Sequence, residues 1–393
     1  MKPTIYLDNS ATTRICDEAL ATYIDVSREH FGNPSSLHTI GFDAEKVLKD
    51  ARAEVMKALG AKNGTLIFTS SGSEANNLAI FGRAHAKDRY RGKRILTTAG
   101  EHSSVSAVME ALKKEGFKIE TIPTMGGVLD MAALERMLTP DVILVSAMMV
   151  NNETGAIYDL AALSAMMKRK CPDAVLHADA TQSFMKIPFT PDGLGADMVT
   201  LSSHKIEGPK GVGALYISAE MIKTRGLAPL ILGGGQESGY RSGTENVPGV
   251  AAFATACRIA KSSFSTRMKH ICGLRDYLLE KLGADERLAD VSPLITPNAA
   301  PHILSLTVKN IKSETMLHFL SSEGICVSSG SACSSNASTR HTSPALLAYG
   351  QSEAEADSSI RVSFSHRNAT ADVDALCEAL ALGLSRLAKI RRT

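Results

Sequence analysis

The pattern of apolar and polar positions changes its period several times along the chain. From about residue 65, short runs rich in β-branched and apolar residues alternate with longer stretches of helical periodicity. Helices are predicted from Ser73 and from about Ser103, each directly after such a run. The runs are TLIFT, RILTT, VILVSAMMV, AVLHAD, MVTLSS and GVGALYIS. This alternation predicts a mainly parallel sheet that is covered by helices on both faces.

The pattern changes after about Val247, where long helices come first and strands become fewer. A strand at HILSLTV, a helix from Ser313 to Ser322, and the short runs GICVSS and SIRVSF follow. The last helix carries one apolar stripe, a pattern typical of a helix that packs on a core. The stripe consists of Val373, Leu376, Cys377, Leu380, Leu384 and Leu387.

Two domains are predicted from this change. The large α/β domain spans residues 14–260 and contains the parallel sheet. A smaller α+β domain combines residues 1–13 with residues 261–393. The boundary near residue 260 is expected inside a helix, because no linker-like stretch and no repeat separates the two parts.

Composition and charge exclude several classes of protein. The net charge of +2 over 393 residues gives no electrostatic case for binding nucleic acid. The start of the chain lacks the features of a signal peptide, and the longest apolar run, VILVSAMMV, is too short to cross a bilayer. We therefore expect a soluble, cytoplasmic protein without a membrane partner.

The seven cysteines are scattered, with neither a C-x-x-C pair nor a histidine cluster at zinc spacing. This distribution predicts a reducing compartment, no disulfide framework and no structural metal. Cys333 lies in the stretch VSSGSACSSNASTR, whose small polar residues predict an exposed loop. Because free cysteine is usually buried, two interpretations stand at this point: an incidental surface thiol, or a reactive nucleophile on a movable arm.

Polar residues follow two of the predicted strands. FTSSGSEANN puts Gly72 and Ser73 at a helix start, where free N–H groups and the helix dipole favour an anion such as phosphate. An ordinary serine-capped helix explains the same pattern. HADATQS puts Asp179 at a strand end, with Gln182 three residues later. A buried carboxylate there needs a cation or several donors, and an aspartate that caps a turn is the alternative.

Basic residues occur at two further strand ends. TLSSHKIEGPKGVG puts Ser202, His204 and Lys205 in a turn, where a lysine of lowered pKa could form an imine with a carbonyl ligand. A solvated turn is the alternative. GEHSSV adds His102 after another strand, although a lone histidine is more often structural than catalytic.

Together these stretches match the parts that pyridoxal 5′-phosphate (PLP) requires. A phosphate cradle, a carboxylate for the pyridine nitrogen, a lysine for a Schiff base and an imidazole to cover the ring occur within one α/β unit. With further motifs the chain resembles the cysteine desulfurases, which are class V aminotransferase-like, fold-type I PLP enzymes. The motifs are YLDNSATT, GNPSS, SEANNLAI, EHSSV, VNNETG, HADATQ, SSHKIEGPKG, GGGQESGYRSGTEN, SSGSACSS and SSIRVSF.

The resemblance covers essentially the full length and implies a seven-stranded, mainly parallel sheet in the large domain. It also implies that Lys205 holds PLP, that Asp179 pairs with the pyridine nitrogen, and that His102 stacks on the ring and moves protons. Further implied cofactor contacts are Gln182 at the ring hydroxyl, Gly72, Ser73, Ser202 and His204 at the phosphate, and Asn152.

For the substrate, the resemblance implies that Asn152 and Arg361 hold the carboxylate, Arg361 by the two-pronged geometry of its guanidinium. Thr244, in RSGT, would reach the phosphate of the neighbouring subunit. The protein is therefore expected to be an obligate homodimer with composite sites.

The implied reaction converts L-cysteine to L-alanine and passes the sulfur to Cys333 as a persulfide. A protein acceptor, such as an iron–sulfur scaffold or a tRNA-thiolation protein, would then take it. A selenocysteine lyase, another class V PLP aminotransferase or lyase, and a non-catalytic scaffold are the alternatives, and retention of Lys205, Asp179, His102 and Cys333 argues against the last.

Three features depart from the family's common pattern: the segment NASTRHTSPALLAYG, the turn SFSHRNAT, and an end at IRRT without the longer tail that housekeeping members use to dock a scaffold. These departures leave the identity of the sulfur acceptor open.

Overall fold

The computed structural model describes residues 4–86, 92–329 and 342–390. The strands are β1 (Ile5–Tyr6), β2 (Thr65–Thr69), β3 (Arg94–Thr98), β4 (Lys118–Ile122), β5 (Thr124–Met125), β6 (Val128–Leu129), β7 (Val142–Met148), β8 (Val175–Asp179), β9 (Met198–Ser202), β10 (Gly213–Ile217), β11 (Val291–Pro293), β12 (Ile303–Val308), β13 (Ile325–Cys326), β14 (Ser328–Ser329) and β15 (Ser359–Ser363). The helices are α1 (Asp17–Glu29), α2 (Thr39–Leu59), α3 (Gly72–Ala84), α4 (Ser103–Lys114), α5 (Met131–Met137), α6 (Leu160–Lys170), α7 (Pro191–Leu194), α8 (Ala219–Lys223), α9 (Val247–Ser262), α10 (Phe264–Ala284), α11 (Ser313–Ser322), α12 (Pro344–Tyr349), α13 (Glu353–Asp357) and α14 (Thr370–Ile390). None of these helices combines the length and the apolar character that a bilayer span requires.

The central sheet has seven strands in the order β2-β10-β9-β8-β7-β3-β4. Neighbouring strands are parallel except at β10, which runs antiparallel to both β2 and β9. Every residue of β7 and β8 is buried, which accounts for the uninterrupted apolar run of β7. The prediction of an α/β fold with a mainly parallel seven-stranded sheet is confirmed.

The order of the strands places a ligand crevice in this sheet. From β3 the chain adds β4 on one side, whereas from β7 it adds β8 and β9 on the other. The direction of winding therefore reverses between β3 and β7. In open α/β sheets, ligands bind outside the carboxyl ends of the strands at such a reversal.

The C-terminal part forms a second, antiparallel sheet in the order β11-β12-β15-β14. The helices α10, α11 and α14 pack on it around a separate apolar core, which Leu7 joins from the N-terminal segment. The predicted stripe of α14 contributes to this core: Val373, Leu376, Cys377 and Leu380 are buried, and Leu384 and Leu387 pack against them partly buried. The predicted smaller α+β unit is thus present.

The two helices at the predicted boundary are separated by one residue. α9 ends at Ser262 and α10 begins at Phe264, so residue 260 lies in the last turn of α9. The assignment of residues 14–260 to one domain, and of residues 1–13 and 261–393 to the other, stays a prediction.

Ion pairs to the buried Glu207 join the C-terminal part to the loop after β9. Glu207, two residues beyond Lys205, accepts hydrogen bonds from Arg267 Nη1 and Arg367 Nε, each at 2.9 Å. Arg267 lies on α10, and Arg367 lies in the unusual turn SFSHRNAT after β15. The turn that departs from the family pattern therefore braces the loop that carries Lys205.

Candidate active site

A cavity of about 430 Å³ opens at the carboxyl edge of the central sheet, where β3, β7, β8 and β9 end. The cavity brings together residues that are up to 353 positions apart, from Asp8 to Arg361. Ten residues singled out in the sequence line it: Gly72, Ser73, His102, Asn152, Asp179, Gln182, Ser202, His204, Lys205 and Arg361.

The start of α3 forms one wall of the cavity. The Ser71 hydroxyl accepts a hydrogen bond from the Glu74 N–H at 3.1 Å, so the serine-capped helix start is real. A Cβ atom at Gly72 would lie 3.2 Å from Ser202 Cβ and 3.3 Å from Thr181 Oγ1. The lack of a side chain at residue 72 therefore leaves the first N–H groups of a 13-residue helix open to an anion.

Asp179 lies at the end of β8 and is only 6% exposed. Its carboxylate accepts hydrogen bonds from Asn76 Nδ2 at 2.8 Å and from the Thr181 N–H at 2.9 Å. Within the described parts of the chain, no salt bridge pairs it with a cation. A buried carboxylate that has only neutral donors is favourably placed to bind a ligand cation.

His102 is held by its own helix. The Ser104 N–H donates to Nδ1 at 3.2 Å, and the Ser104 hydroxyl lies 2.8 Å from the same atom. Burial lowers the pKa of His102, against the opposing charge of Asp179, so the ring is neutral near pH 7. Since Nδ1 accepts, the neutral ring carries its hydrogen on Nε2. The histidine caps α4 and lines the cavity, so the structural and functional interpretations both hold.

Glu101 lies behind His102 as a buried acid. The Met148 N–H donates to Oε1 at 2.8 Å, the Thr98 hydroxyl binds the same oxygen, and Oε2 has no partner among the described residues. Burial raises the pKa of Glu101 to about 8. The group is therefore mostly protonated at neutral pH and places little negative charge beside Asp179.

Lys205 ends a turn of 3₁₀ helix over Ser203–Lys205, directly after β9. Its Nζ donates to the carbonyls of Ser10 and Ala11 at 2.6 and 2.8 Å. The neighbouring His204 ring lies 3.0 Å from the Thr12 hydroxyl. Burial, followed by the charge of Lys205, lowers the pKa of His204 to about 4, so this ring is a neutral hydrogen-bonding group.

Arg361 enters the cavity from β15 and is 6% exposed. Its guanidinium donates to Asp8 Oδ1 at 2.8 Å and to the Asn152 carbonyl at 2.9 Å, while Nε has no partner among the described residues. The ion pair lies in the site rather than on the surface. The predicted partners Arg361 and Asn152 are thus adjacent, and the contact between them uses the backbone of Asn152.

Known proteins are similar to this chain over nearly its whole length. A family model described as Aminotransferase class-V matches residues 5–376. A relative named Cysteine desulfurase IscS 1, from Archaeoglobus fulgidus, is 36% identical over 384 residues, 97% of each chain. A solved structure described as a NifS-like protein has a TM-score of 0.88 at 35% identity and covers 97% of this chain and 99% of that one. The chain belongs to the class-V aminotransferase family.

A further solved structure, described as SspA in complex with cysteine, has a TM-score of 0.78 at 30% identity and covers 93% of this chain and all of that one. The resemblance to cysteine desulfurases, stated above from motifs, is confirmed by these relatives. Members of this family of class-V aminotransferases are generally PLP-dependent.

Among the residues of this class-V aminotransferase site that were given no role from the sequence are Asp8, Ser10, Asn76 and Ser104. Asn76 follows Ser73 by three positions on a helix and so shares its face, a signal that could have been used. Asp8 and Ser10 lie in the motif YLDNSATT, where nothing local distinguishes them. Their contacts depend on packing between distant parts of the chain.

Thr244 does not line the cavity and is exposed. Its segment lies close to the start of α3, because Arg241 Nε donates to Glu74 at 2.9 Å. The same segment adjoins apolar surface: Ile231 forms a β-bridge with Arg241, and Leu232 is 80% exposed. Thr244 therefore lies on the outer surface beside a helix start that forms one wall of the site.

Cys333 lies outside the described residues. The chain that precedes its segment reaches the site, and the chain that follows it contacts Glu153, the neighbour of the site residue Asn152. Ser328 on β14 lines the cavity and is paired with Arg361 on β15. On the other side, the Ser343 hydroxyl donates to Glu153, whose pKa is raised to about 7 by burial.

Proposed function

We propose that this chain is a PLP-dependent cysteine desulfurase, which converts L-cysteine to L-alanine and takes the sulfur onto Cys333 as a persulfide. One observation carries the proposal. A single cavity collects an amine on Lys205, a buried carboxylate on Asp179 that has no cationic partner within the described residues, a neutral imidazole on His102 and an open helix start at Gly72.

The chemistry of the residues present fits PLP. The N–H groups of Gly72 and Ser73 would hold the phosphate, and Asp179 would hold the protonated ring nitrogen. Lys205 would hold the cofactor through its amine, with His102 against the ring. Bound PLP would supply the electron sink for chemistry at the substrate's α and β carbons. Asn76 supports this arrangement, because its amide keeps the Asp179 carboxylate fixed at 2.8 Å.

The substrate carboxylate would bind between Arg361 and Asn152. Support comes from the unused Arg361 Nε and from the Asp8 ion pair, which keeps the planar guanidinium oriented. The adjacent His102, neutral by virtue of its burial, is able to hold or release a proton at a substrate atom.

The step at Cys333 balances without an external oxidant. The Cys333 thiolate attacks the substrate sulfur, an S–S bond forms as the substrate's C–S bond breaks, and a proton replaces sulfur on the carbon. The product pair is alanine and the persulfide. The adjacency of Ser328 to the cavity supports this role, since the chain enters the Cys333 segment from the cavity wall.

The test uses the purified, PLP-loaded protein with L-cysteine and a thiol reductant. We expect alanine and sulfide in equal amounts, and loss of sulfide in Cys333→Ser. Cys272→Ser, at an exposed cysteine on α10, is the matched control and should keep wild-type rates. Unchanged sulfide release by Cys333→Ser would refute the role of Cys333. Faster turnover of selenocysteine than of cysteine, independent of that thiol, would favour a selenocysteine lyase instead.

The proposal includes a homodimer in which Thr244 completes the partner's phosphate site. Support comes from exposed apolar side chains, namely Leu232 at 80% beside the Thr244 segment, and Leu37 at 89% and Phe31 at 70% between α1 and α2. Clusters of such exposed side chains commonly mark interfaces. A second copy of this chain is the occupant that the composite site requires.

A mixed-dimer experiment tests this arrangement. Thr244→Asp places a negative charge where the partner's phosphate would bind, and Lys205→Ala removes the amine. If Thr244 acts across the interface, mixing and reassembling the two inactive variants should restore roughly a quarter of wild-type activity, because each heterodimer regains one intact site. Absence of any recovery, with heterodimers demonstrated by mass, would overturn the composite site.

Delivery completes the proposed function. We propose that the persulfide on Cys333 passes to a cytoplasmic protein acceptor, such as an iron–sulfur scaffold or a tRNA-thiolation protein. The chemistry supports an acceptor, because a persulfide left on Cys333 blocks the next turnover. Persulfide transfer to candidate acceptors, followed by intact mass, distinguishes them.

A further inference from the structure

A chain of hydrogen bonds connects two lysine amines behind the active-site cavity. Lys186 Nζ donates to Gln182 Oε1 at 3.3 Å, and Gln182 Nε2 donates to the Ser10 carbonyl at 2.9 Å. The same carbonyl accepts from Lys205 Nζ at 2.6 Å. Lys186 does not line the cavity, whereas the other three residues do.

The orientation of the Gln182 amide follows from these partners. With Oε1 toward Lys186, both ends of the amide are satisfied, because an amine donates and a carbonyl accepts. Rotating the amide by half a turn would set Oε1 against the Ser10 carbonyl and the NH₂ group against the Lys186 amine. The Ser10 contact would then be lost, and so would the Lys186 contact whenever that amine is protonated, in a buried place where an unmet polar group costs about 1–3 kcal/mol. On the side of the amide that faces away from Ser10, Lys186 is thus the group that favours Oε1 over the NH₂ group.

Lys186 has no salt bridge within the described parts of the chain. Burial, followed by the positive charges of Lys205 and Arg361, lowers the pKa of Lys186 to about 7. The amine can donate to Oε1 in either protonation state. The charged and titratable groups around it are His204, Lys205, Glu207, Arg267, His302, Arg361 and His366.

These groups leave the charge of Lys186 uncompensated. Glu207 is engaged by Arg267 and Arg367, and burial lowers the pKa of His302 well below its ordinary value, so that ring is neutral. Any positive charge on Lys186 therefore acts on Lys205 through the low-dielectric interior.

Resting on the proposed function, we propose that Lys186 is a positioning residue for the reaction: it fixes the Gln182 amide, and through it the Ser10 carbonyl, so that the Lys205 amine is received in one defined place. Gln182 then presents its amide N–H groups, not its oxygen, toward the cavity. The role is distinct from that of the residues that would touch PLP or cysteine.

Three variants separate the effect of the hydrogen bond from Lys186 to Gln182 from the effect of the Lys186 charge. Lys186→Met removes the donor and the charge, Lys186→Gln keeps a donor for Oε1 without charge, and Lys186→Arg keeps both. We expect Lys186→Met to lower kcat about tenfold, as loss of a supporting hydrogen bond commonly does, with KM for cysteine unchanged. Lys186→Gln and Lys186→Arg should stay within about threefold of wild-type kcat.

A spectroscopic measurement accompanies the kinetics. The visible absorbance of the PLP-loaded protein is titrated with pH, without substrate. Removing a neighbouring positive charge makes the protonated Lys205 nitrogen easier to hold, so the midpoint should rise by about half a pH unit or more in the Met and Gln variants and not in the Arg variant. Thermal melting of each variant controls for folding, and if the Met variant does not fold, the Gln and Arg variants still test the shift.

The outcomes are distinguishable. Wild-type protein that binds no PLP refutes the proposed function. Wild-type protein that binds PLP, with a folded Lys186→Met variant of unchanged kcat and midpoint, refutes the positioning role alone. A raised midpoint with unchanged kcat in Lys186→Met also overturns the positioning role, because only the charge would then matter.

Discussion

The two edges of the central sheet differ in how they use buried charge. At the carboxyl edge the site cavity measures about 430 Å³, whereas the cavity at the amino edge is larger, about 770 Å³. The amino-edge cavity also contains charged groups, among them Arg83, Lys168, Asp192 and Asp197. Neither size nor charge alone therefore identifies the functional edge.

The contacts of the charged groups make the difference. At the amino edge, Arg83 donates to the carbonyls of Ile143 at 3.2 Å and Gly226 at 3.4 Å, and Asp197 accepts from the Leu176 N–H at 2.9 Å. These side chains satisfy backbone hydrogen-bonding groups and so serve the fold.

At the carboxyl edge, in contrast, some polar groups are able to form further hydrogen bonds or ion pairs. Arg361 Nε and Asn76 Oδ1 have no partner among the described residues, and Asp179 has only neutral donors there. Buried polar groups are normally satisfied, so an edge that collects several spare donors and acceptors is organised around a ligand.

The largest expected effect comes from a matched pair of lysine substitutions. Lys205→Ala at the carboxyl edge should lower turnover of L-cysteine about 10³-fold or more and remove the visible absorbance of covalently held PLP. Lys168→Ala, on the exposed rim of the amino-edge cavity, should leave both unchanged. Steady-state rates and absorbance spectra check this. Retained absorbance in Lys205→Ala would place the cofactor amine elsewhere.

A pair of aspartate substitutions tests the same contrast with a smaller effect. Asp179→Asn keeps the size and the hydrogen-bonding ability but removes the charge that would hold a protonated ring nitrogen, so kcat should fall about 10²-fold. Asp197→Asn should keep kcat within about threefold, because the Asp197 carboxylate serves the backbone. Equal losses of kcat in two folded variants would remove the distinction between the edges.

The third prediction concerns Glu101, a buried acid at the carboxyl edge. Its substitution should change turnover least, and the measured quantity is the free energy of unfolding. Burial raises the pKa of Glu101 to about 8, above the value of about 4.3 for an unfolded glutamate. The folded state therefore binds the proton more tightly, and the free energy of unfolding should decrease as pH rises from about 4.3 to about 8, by at most about 1.4 kcal/mol per pH unit.

Melting temperatures across this pH range check the prediction. Glu101→Gln, which stays neutral, should show a flatter dependence than the wild type and should be the more stable of the two above pH 8. Glu110→Gln, at an exposed position on α4, is the control and should follow the wild type. Parallel curves for Glu101→Gln and the wild type would contradict the shift.

Local signals in the sequence were sufficient for the elements and for most of the site. The apolar runs predicted six of the seven strands of the central sheet, all except β4, and Asp179 and Lys205 were found because polar residues at strand ends share one edge of such a sheet. The antiparallel direction of β10 was not predicted, since a buried run of five residues looks the same in either direction.

Contacts between distant segments could not be read in the same way. Lys205 meets Ser10 across 195 positions, and Arg361 meets Asp8 across 353. No periodicity records such a pairing, because it depends on how the N-terminal segment lies between the two sheets. The role inferred for Lys186 also depends on geometry, since nothing in the local sequence SFMKIPF indicates the contact of its lysine with Gln182.

The sequence by itself determined the family, the order of strands and helices and the chemical groups available, because hydrophobic period and motif spacing act over short distances. Only the tertiary structure decided which donors and acceptors those groups would meet. Burial then set their protonation, making His102 and His204 neutral and raising the pKa of Glu101, because the low-dielectric interior penalises every charge that lacks a partner.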